Sequence, residues 1–140
     1  MKRLFIATFI DTSLLEFLYN EIQEDFNKVC FGKWVELKNL HFTYKFLGDI
    51  EEEKIPEIKE SLNEYLTVYN STLELNGLGV FPNKNKPKVL FAKVFNPQKT
   101  IFRVQKGLEQ ELENMGFERE KRKFTPHMTL CRLKSRDKKF

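Results

Sequence analysis

Residues 41–48 read HFTYKFLG and residues 126–132 read PHMTLCR. These two stretches hold the only histidines of the 140-residue chain. Each histidine opens the same tetrad: His41-Phe42-Thr43-Tyr44 and His127-Met128-Thr129-Leu130. Two histidines placed at random would rarely both be followed two positions later by threonine. In a β-strand, residues i and i+2 point to one face, so His and Thr of each tetrad look into one space. If the two strands lie close, that space holds two imidazoles and two hydroxyls. One imidazole must be neutral to accept a proton and the other charged to donate one, and imidazole reaches both states near neutral pH. Threonine hydroxyls can hold charged oxygens. The set suits proton movement around a phosphate. A lone strand histidine is more often structural than catalytic, and threonine is simply a good strand former. The use of both histidines in one pattern reverses that weighing.

The rest of the chain bounds what such a pair can serve. At 140 residues the chain has the length of one domain with a real core. Hydrophobic residues make up 41% and charged residues 31%, with 14 phenylalanines, so a globular protein with an aromatic-rich core is expected. The net charge of +4 fits an anionic ligand or RNA. Arg119, Lys121, Arg122 and Lys123 precede the second tetrad, and Lys134, Arg136, Lys138 and Lys139 follow it. They read either as solvated surface or as a phosphate-attracting rim. Cys30 and Cys131 stand far apart without metal-ligand spacing, so neither a zinc site nor a disulfide framework is expected, and a reducing, cytoplasmic compartment is favoured. No apolar run reaches a membrane span, and the N-terminus reads as a first strand rather than a signal peptide. No carboxylate cluster, P-loop or G-x-S-x-G element appears. A metal-dependent phosphatase, a nucleotide triphosphatase and a serine hydrolase all lose ground.

The order of elements follows from periodicity and punctuation. Residues 3–10 (RLFIATFI) predict a buried strand. Asp11, Thr12 and Ser13 offer N-cap chemistry for an amphipathic helix to Lys28, with Leu14, Leu15, Phe17, Leu18, Ile22 and Phe26 on its apolar positions. Gly32 predicts a break, 33–36 a short strand around Trp34, and 40–47 the first tetrad strand, ended by Gly48. Residues 51–69 predict a second helix with Pro56 early. Residues 72–81 and 89–95 predict strands joined by the polar turn PNKNKPK, with Gly77 and Gly79 allowing close approach or a bulge. A third helix buries Ile101, Val104, Leu108 and Leu112 and ends at Gly116. Residues 124–133 predict the second tetrad strand, with Pro126 holding Thr125 extended so that His127 enters in a fixed direction. No linker divides the chain, so a single domain over 1–140 is expected. Its class is α+β, with two similar lobes.

At RLFIA (3–7), NLHFTYKFLG (39–48), GLGVFP (77–82) and FTPHMTLCR (124–132) the chain resembles the 2H phosphoesterase superfamily, and within it the RNA 2′,3′-cyclic phosphodiesterases, also called 2′-5′ RNA ligases. The resemblance implies two pseudo-symmetric lobes of antiparallel sheet with helices and an active-site cleft between them. It implies metal-independent hydrolysis of an RNA or nucleoside 2′,3′-cyclic phosphate to a 2′-phosphomonoester, with no cofactor. By the same resemblance His41 and His127 are the catalytic pair, and Thr43 and Thr129 hold the phosphate. His41 is assigned the departing 3′-oxygen and His127 the attacking water. Phe46 and Arg132, each five positions after its histidine, are implied to flank a nucleobase, Phe46 by stacking and Arg132 by cation–π contact or by reaching phosphate. Five is an odd offset, which on an ideal strand turns a side chain to the opposite face, so a twist, a bulge or the strand's end must return them. Core burial of Phe46 and surface exposure of Arg132 stay open. Partners would be RNA ends or small cyclic nucleotides, with no membrane and no obligate protein partner. A ligase or 2′-5′ phosphodiesterase, and a non-catalytic RNA-binding module, are the competing functions. Relatives continue beyond the second tetrad strand, so this chain is expected to be a shortened member or a truncated one, with a sheet edge left exposed.

Overall fold

A computed structural model of the chain describes residues 1–13, 15–28, 30–67 and 71–136. Leu14, the end of the predicted 51–69 helix, Lys138 and Lys139 lie outside them. The elements are β1 (Lys2–Phe9), α1 (Glu16–Asn27), β2 (Cys30–Trp34), β3 (His41–Ile50), α2 (Ile55–Ser61), β4 (Glu74–Phe81), β5 (Val89–Phe95), α3 (Thr100–Asn114) and β6 (His127–Arg136). The fold is α+β, as the order of elements predicts, with the antiparallel strand pairing that the resemblance implies.

The chain divides into two compact units. The first is residues 1–7, 43–74 and 95–126. Here α2 and α3 pack on β1 and β3. The core is Ile50, Ile58, Leu62, Val104, Leu108 and Leu112, and all four α3 positions expected to be buried are buried. Asn96 is buried at the head of α3. Its Nδ2 donates to Thr72 O (2.7 Å) and Ser71 Oγ (2.8 Å), and its Oδ1 accepts from the Ile101 amide (3.0 Å), which satisfies one of the helix's open N–H groups. Gly116 closes the helix in the left-handed region at φ 99°. Lys45 and Glu109 form a buried ion pair at 2.8 Å, with side chains 11% and 5% exposed. Lys45 Nζ also donates to Glu118 O, and Glu109 Oε2 accepts the Glu120 amide. The pair therefore pins the segment that leads to Pro126. Arg119 is committed to α3 through two bonds to Glu113 rather than to a basic rim. Those bonds hold the Glu113 carboxyl below its ordinary pKa.

The second unit is residues 8–42, 75–94 and 127–140. β6 is its centre. β5 pairs along one edge, and β3 (through Phe42–Met128) and then β2 pair along the other. β4 lies beyond β5. Leu15 at the cap and Leu18, Tyr19 and Ile22 of α1 face Met128 and Leu130 of β6 across an apolar cavity of about 290 Å³.

Several local expectations are corrected. α1 starts at Glu16 with Leu15 at its cap position and no side-chain cap. Asp11 instead accepts the Ser13 amide, making a turn one step early. Phe17 is 75% exposed, off the buried stripe. Gly32 does not break the chain but lies inside β2, where an added Cβ would sit 2.5 Å from Cys131 Sγ and 2.7 Å from Arg132 O. Gly48 does not end β3, which passes through it at φ 78° to Ile50. The second helix is one 3-10 turn and seven α residues, after which Leu62 to Tyr65 turn. The second tetrad strand starts at His127, not at Phe124.

Candidate active site

β6 begins at the residue after Pro126, so its first side chain is His127. Side-chain directions follow from register, because directly opposed residues share a face. Phe91 pairs with Thr129 and Lys93 with His127, while Ala92 pairs with Met128. Ala92 and Met128 line the cavity under α1. His127 and Thr129 therefore take the other face, the one without the helix. On β3, Phe42 pairs with Met128 and is fully buried. Its neighbour His41 alternates to the face of His127 and Thr129. Both histidines and one threonine of the tetrads are thus brought to one sheet face of the second unit. Thr43 shares the strand face of His41 and is counted in the first unit.

The two histidines have different neighbours. His41 Nδ1 lies 2.6 Å from Asn39 O. A carbonyl only accepts, so Nδ1 carries a proton and donates it. Proton exchange by His41 therefore falls to Nε2. The Phe9 ring lies 5.2 Å from the His41 ring. His127 sits against two phenylalanines. The centroids of Phe81 and Phe91 are 5.2 and 5.3 Å from it, both near edge-to-face at 74° and 66°. Phe81 and Phe91 stack on each other at 4.3 Å. Phe91 can lie there because Gly79 on β4 has no side chain. A Cβ at Gly79 would fall 2.5 Å from Phe91 Cζ.

The odd offset of Arg132 is resolved by a β-bulge. Leu90 pairs with Cys131 but Phe91 with Thr129, so one step of β5 spans two of β6, and Leu130 is the additional residue. Leu130 and Cys131 both face the helix side: Leu130 lines the α1 cavity, and Cys131 is buried opposite Leu90. Arg132, opposite Val89, returns to the face of His127 and is exposed. The bulge is held from α1. Leu130 O accepts the Val35 amide at 2.8 Å and lies 3.0 Å from the Tyr19 hydroxyl, which also donates to Val35 O at 2.6 Å. Burial, and then the nearby Cys131 sulfur, push the Tyr19 hydroxyl up to about 12, so it stays a donor. Phe46 is counted in the first unit. It is 72% exposed, with its ring 5.9 Å from Phe5, which removes the core reading.

Sequence reasoning gave no role to Tyr19, Phe81 or Phe91, while the close approach it allowed at Gly79 is the one Phe91 makes. A signal was present for both phenylalanines: GLGVFP and a second aromatic ten residues on in a paired strand.

Residues 18–91 and 94–140 match the model of the LigT-like phosphoesterase family. The chain belongs to that family. It is 37% identical to an RNA 2′,3′-cyclic phosphodiesterase of Methanocaldococcus jannaschii over 98% of this chain and 75% of the relative. It is 33% identical to the Aquifex aeolicus protein of the same name over 98% and 73%. A crystal structure from Thermus thermophilus matches with a TM-score of 0.78 at 28% identity, over 94% of this chain and 74% of that one. Apo LigT of E. coli matches with a TM-score of 0.64 at 25% identity, over 94% and 72%.

Membership of the LigT-like phosphoesterases makes the chain an enzyme of phosphoester chemistry. Among its described residues no helix is long and apolar enough to cross a membrane. A LigT-like phosphoesterase face with two imidazoles, a hydroxyl and an exposed guanidinium can relay protons and offset phosphate charge.

Proposed function

We propose that the chain hydrolyses the 2′,3′-cyclic phosphate of RNA ends or nucleosides to a 2′-phosphomonoester, without a metal. The observation that carries this is the presence of His41, His127 and Thr129 on one sheet face, around the buried Phe42–Met128 pair. The names of the relatives from Methanocaldococcus jannaschii and Aquifex aeolicus support the substrate.

In this mechanism His127 takes a proton from water as its oxygen bonds to phosphorus. The P–O3′ bond breaks, and His41 Nε2 gives its proton to O3′. The products are a 3′-hydroxyl and a 2′-phosphomonoester, and the two histidines then exchange protons with solvent to reset. Asn39 O holds the Nδ1 proton of His41, which leaves Nε2 as the nitrogen that gives up the proton. Thr129 holds the non-bridging oxygens, and Arg132 reaches a neighbouring phosphate or a base.

The test is product analysis on an oligonucleotide ending in a 2′,3′-cyclic phosphate, with chelator present. A 2′-phosphate product is expected, with an acid and an alkaline limb in the rate–pH profile. His41→Ala and His127→Ala should each lower kcat by about 10²–10⁴-fold. Near-normal turnover in both variants, or loss of wild-type turnover on chelation, sinks the mechanism. Joining to a 5′-hydroxyl end would mark a ligase instead.

A further inference from the structure

On the histidine face of the second unit, two lysines stand directly opposite residues of the site. Lys93 is directly opposite His127 across β5 and β6, so its side chain rises on the same face. Lys33 is directly opposite Arg132 across β2 and β6, and Arg132 is on that face by virtue of the bulge. All three cations are exposed. Among the described residues none of them has a carboxylate partner. Lys33 and Arg132 are like charges directly opposed across a strand pair, which destabilises the sheet. A bound anion removes that penalty. The face of β6 that carries Met128, Leu130 and Cys131 is buried and apolar, while this face has Lys93 opposite His127 and the Lys33–Arg132 pair beyond the tetrad.

The spacing indicates more than one anion. With Leu130 bulged out, His127 and Arg132 stand opposite Lys93 and Val89, four steps apart on β5 and roughly 13 Å along the sheet. A phosphate seated at His127 leaves the Lys33–Arg132 pair, further along the sheet, for a second anion. We infer that Lys93 and Lys33, with Arg132, contact phosphodiesters flanking the reacting group, so that this face selects an RNA strand over a single cyclic nucleotide. The inference rests on the site proposed above and names two further residues of it. Neither lysine touches the reacting atoms; each adds affinity and favours length.

The test separates binding from turnover. Affinity for an oligoribonucleotide already ending in a 2′-phosphate is measured against salt for the wild type, Lys33→Gln and Lys93→Gln. Each lost phosphate contact should flatten the plot of log affinity against log salt by about 0.7 and weaken binding roughly three- to tenfold at low salt. In parallel, kcat/KM is measured on a cyclic-phosphate-ended oligonucleotide and on a nucleoside 2′,3′-cyclic phosphate. The ratio of the two should fall in both variants, through KM. Unchanged salt slopes together with an unchanged ratio overturn the inference. A wild type that turns over neither substrate overturns the catalytic reading, while the salt slopes still decide whether Lys33 and Lys93 meet phosphates.

Discussion

Gly79→Ala tests whether the histidine face is held by its phenylalanines. A Cβ at this position falls 2.5, 3.0 and 3.1 Å from Phe91 Cζ, Cε2 and Cε1. Ordinary carbon contacts lie near 3.5–4.0 Å, so the ring must retreat by about 1 Å. Phe91 is buried and stacked 4.3 Å from Phe81, so it moves only by pushing Phe81 or His127. Phe81 is 41% exposed and can swing outward, which keeps the strain in the usual overpacking range of about 1–3 kcal/mol. Both rings against His127 are then displaced, and a misplacement of that size costs about 10²-fold in rate. The expected result is a loss of about 1–3 kcal/mol in urea unfolding, a fall in kcat of roughly 10–100-fold with a smaller change in KM, and shifted ring-proton resonances of His127. Phe91→Leu in the Gly79→Ala background makes room and should restore most of the stability but not the resonances. Stability within about 0.5 kcal/mol of wild type, with His127 resonances unmoved, would refute the reasoning.

Lys45→Ala leaves the Glu109 carboxylate buried with only the Glu120 amide, and urea unfolding should show a loss of about 3–5 kcal/mol. Pairing Lys45→Met with Glu109→Leu should recover only part of it, because Glu118 O and the Glu120 N–H lose their partners. Tyr19 gives an alkaline signature: its folded pKa of about 12 lies above the ordinary value near 10, so its contribution is intact below pH 10 and is lost as pH rises toward 12. The extra loss over that window should be of order 2–3 kcal/mol, and Tyr19→Phe should abolish it while weakening the Leu130 bulge. Lys33→Gln removes the like-charge opposition to Arg132, so ligand-free Tm should rise by about 1–4 °C in calorimetry.

Much of this was legible in the chain because residue type decided it. β5 and the buried face of α3 follow from apolar spacing alone, β1 follows as a strand but not as the buried one expected, and the tetrads follow from two histidines with two threonines. What failed was punctuation. Gly32 and Gly48 read as stops, yet one lies under Cys131 and the other carries β3 through a positive φ. Glycine marks a need for space or for φ, and sequence does not say which. The direction of Arg132 was equally out of reach. It depends on one extra residue in β6, and what holds that residue, Tyr19, is 111 positions away on a helix.

The two faces of β6 obey different rules for a reason that bears on function. Met128, Leu130 and Cys131 are buried and apolar, so any slip of register would expose them and bury Thr129 or Arg132. The helix side therefore sets the register, and the histidine side inherits its geometry. This division lets the histidine face carry features that a core would reject: opposed cations at Lys33 and Arg132, and an aromatic ring packed on a bare glycine. Changes on the helix side should then lower stability and activity together. Changes among Lys33, Lys93 and Arg132 should lower substrate affinity while leaving stability equal or higher.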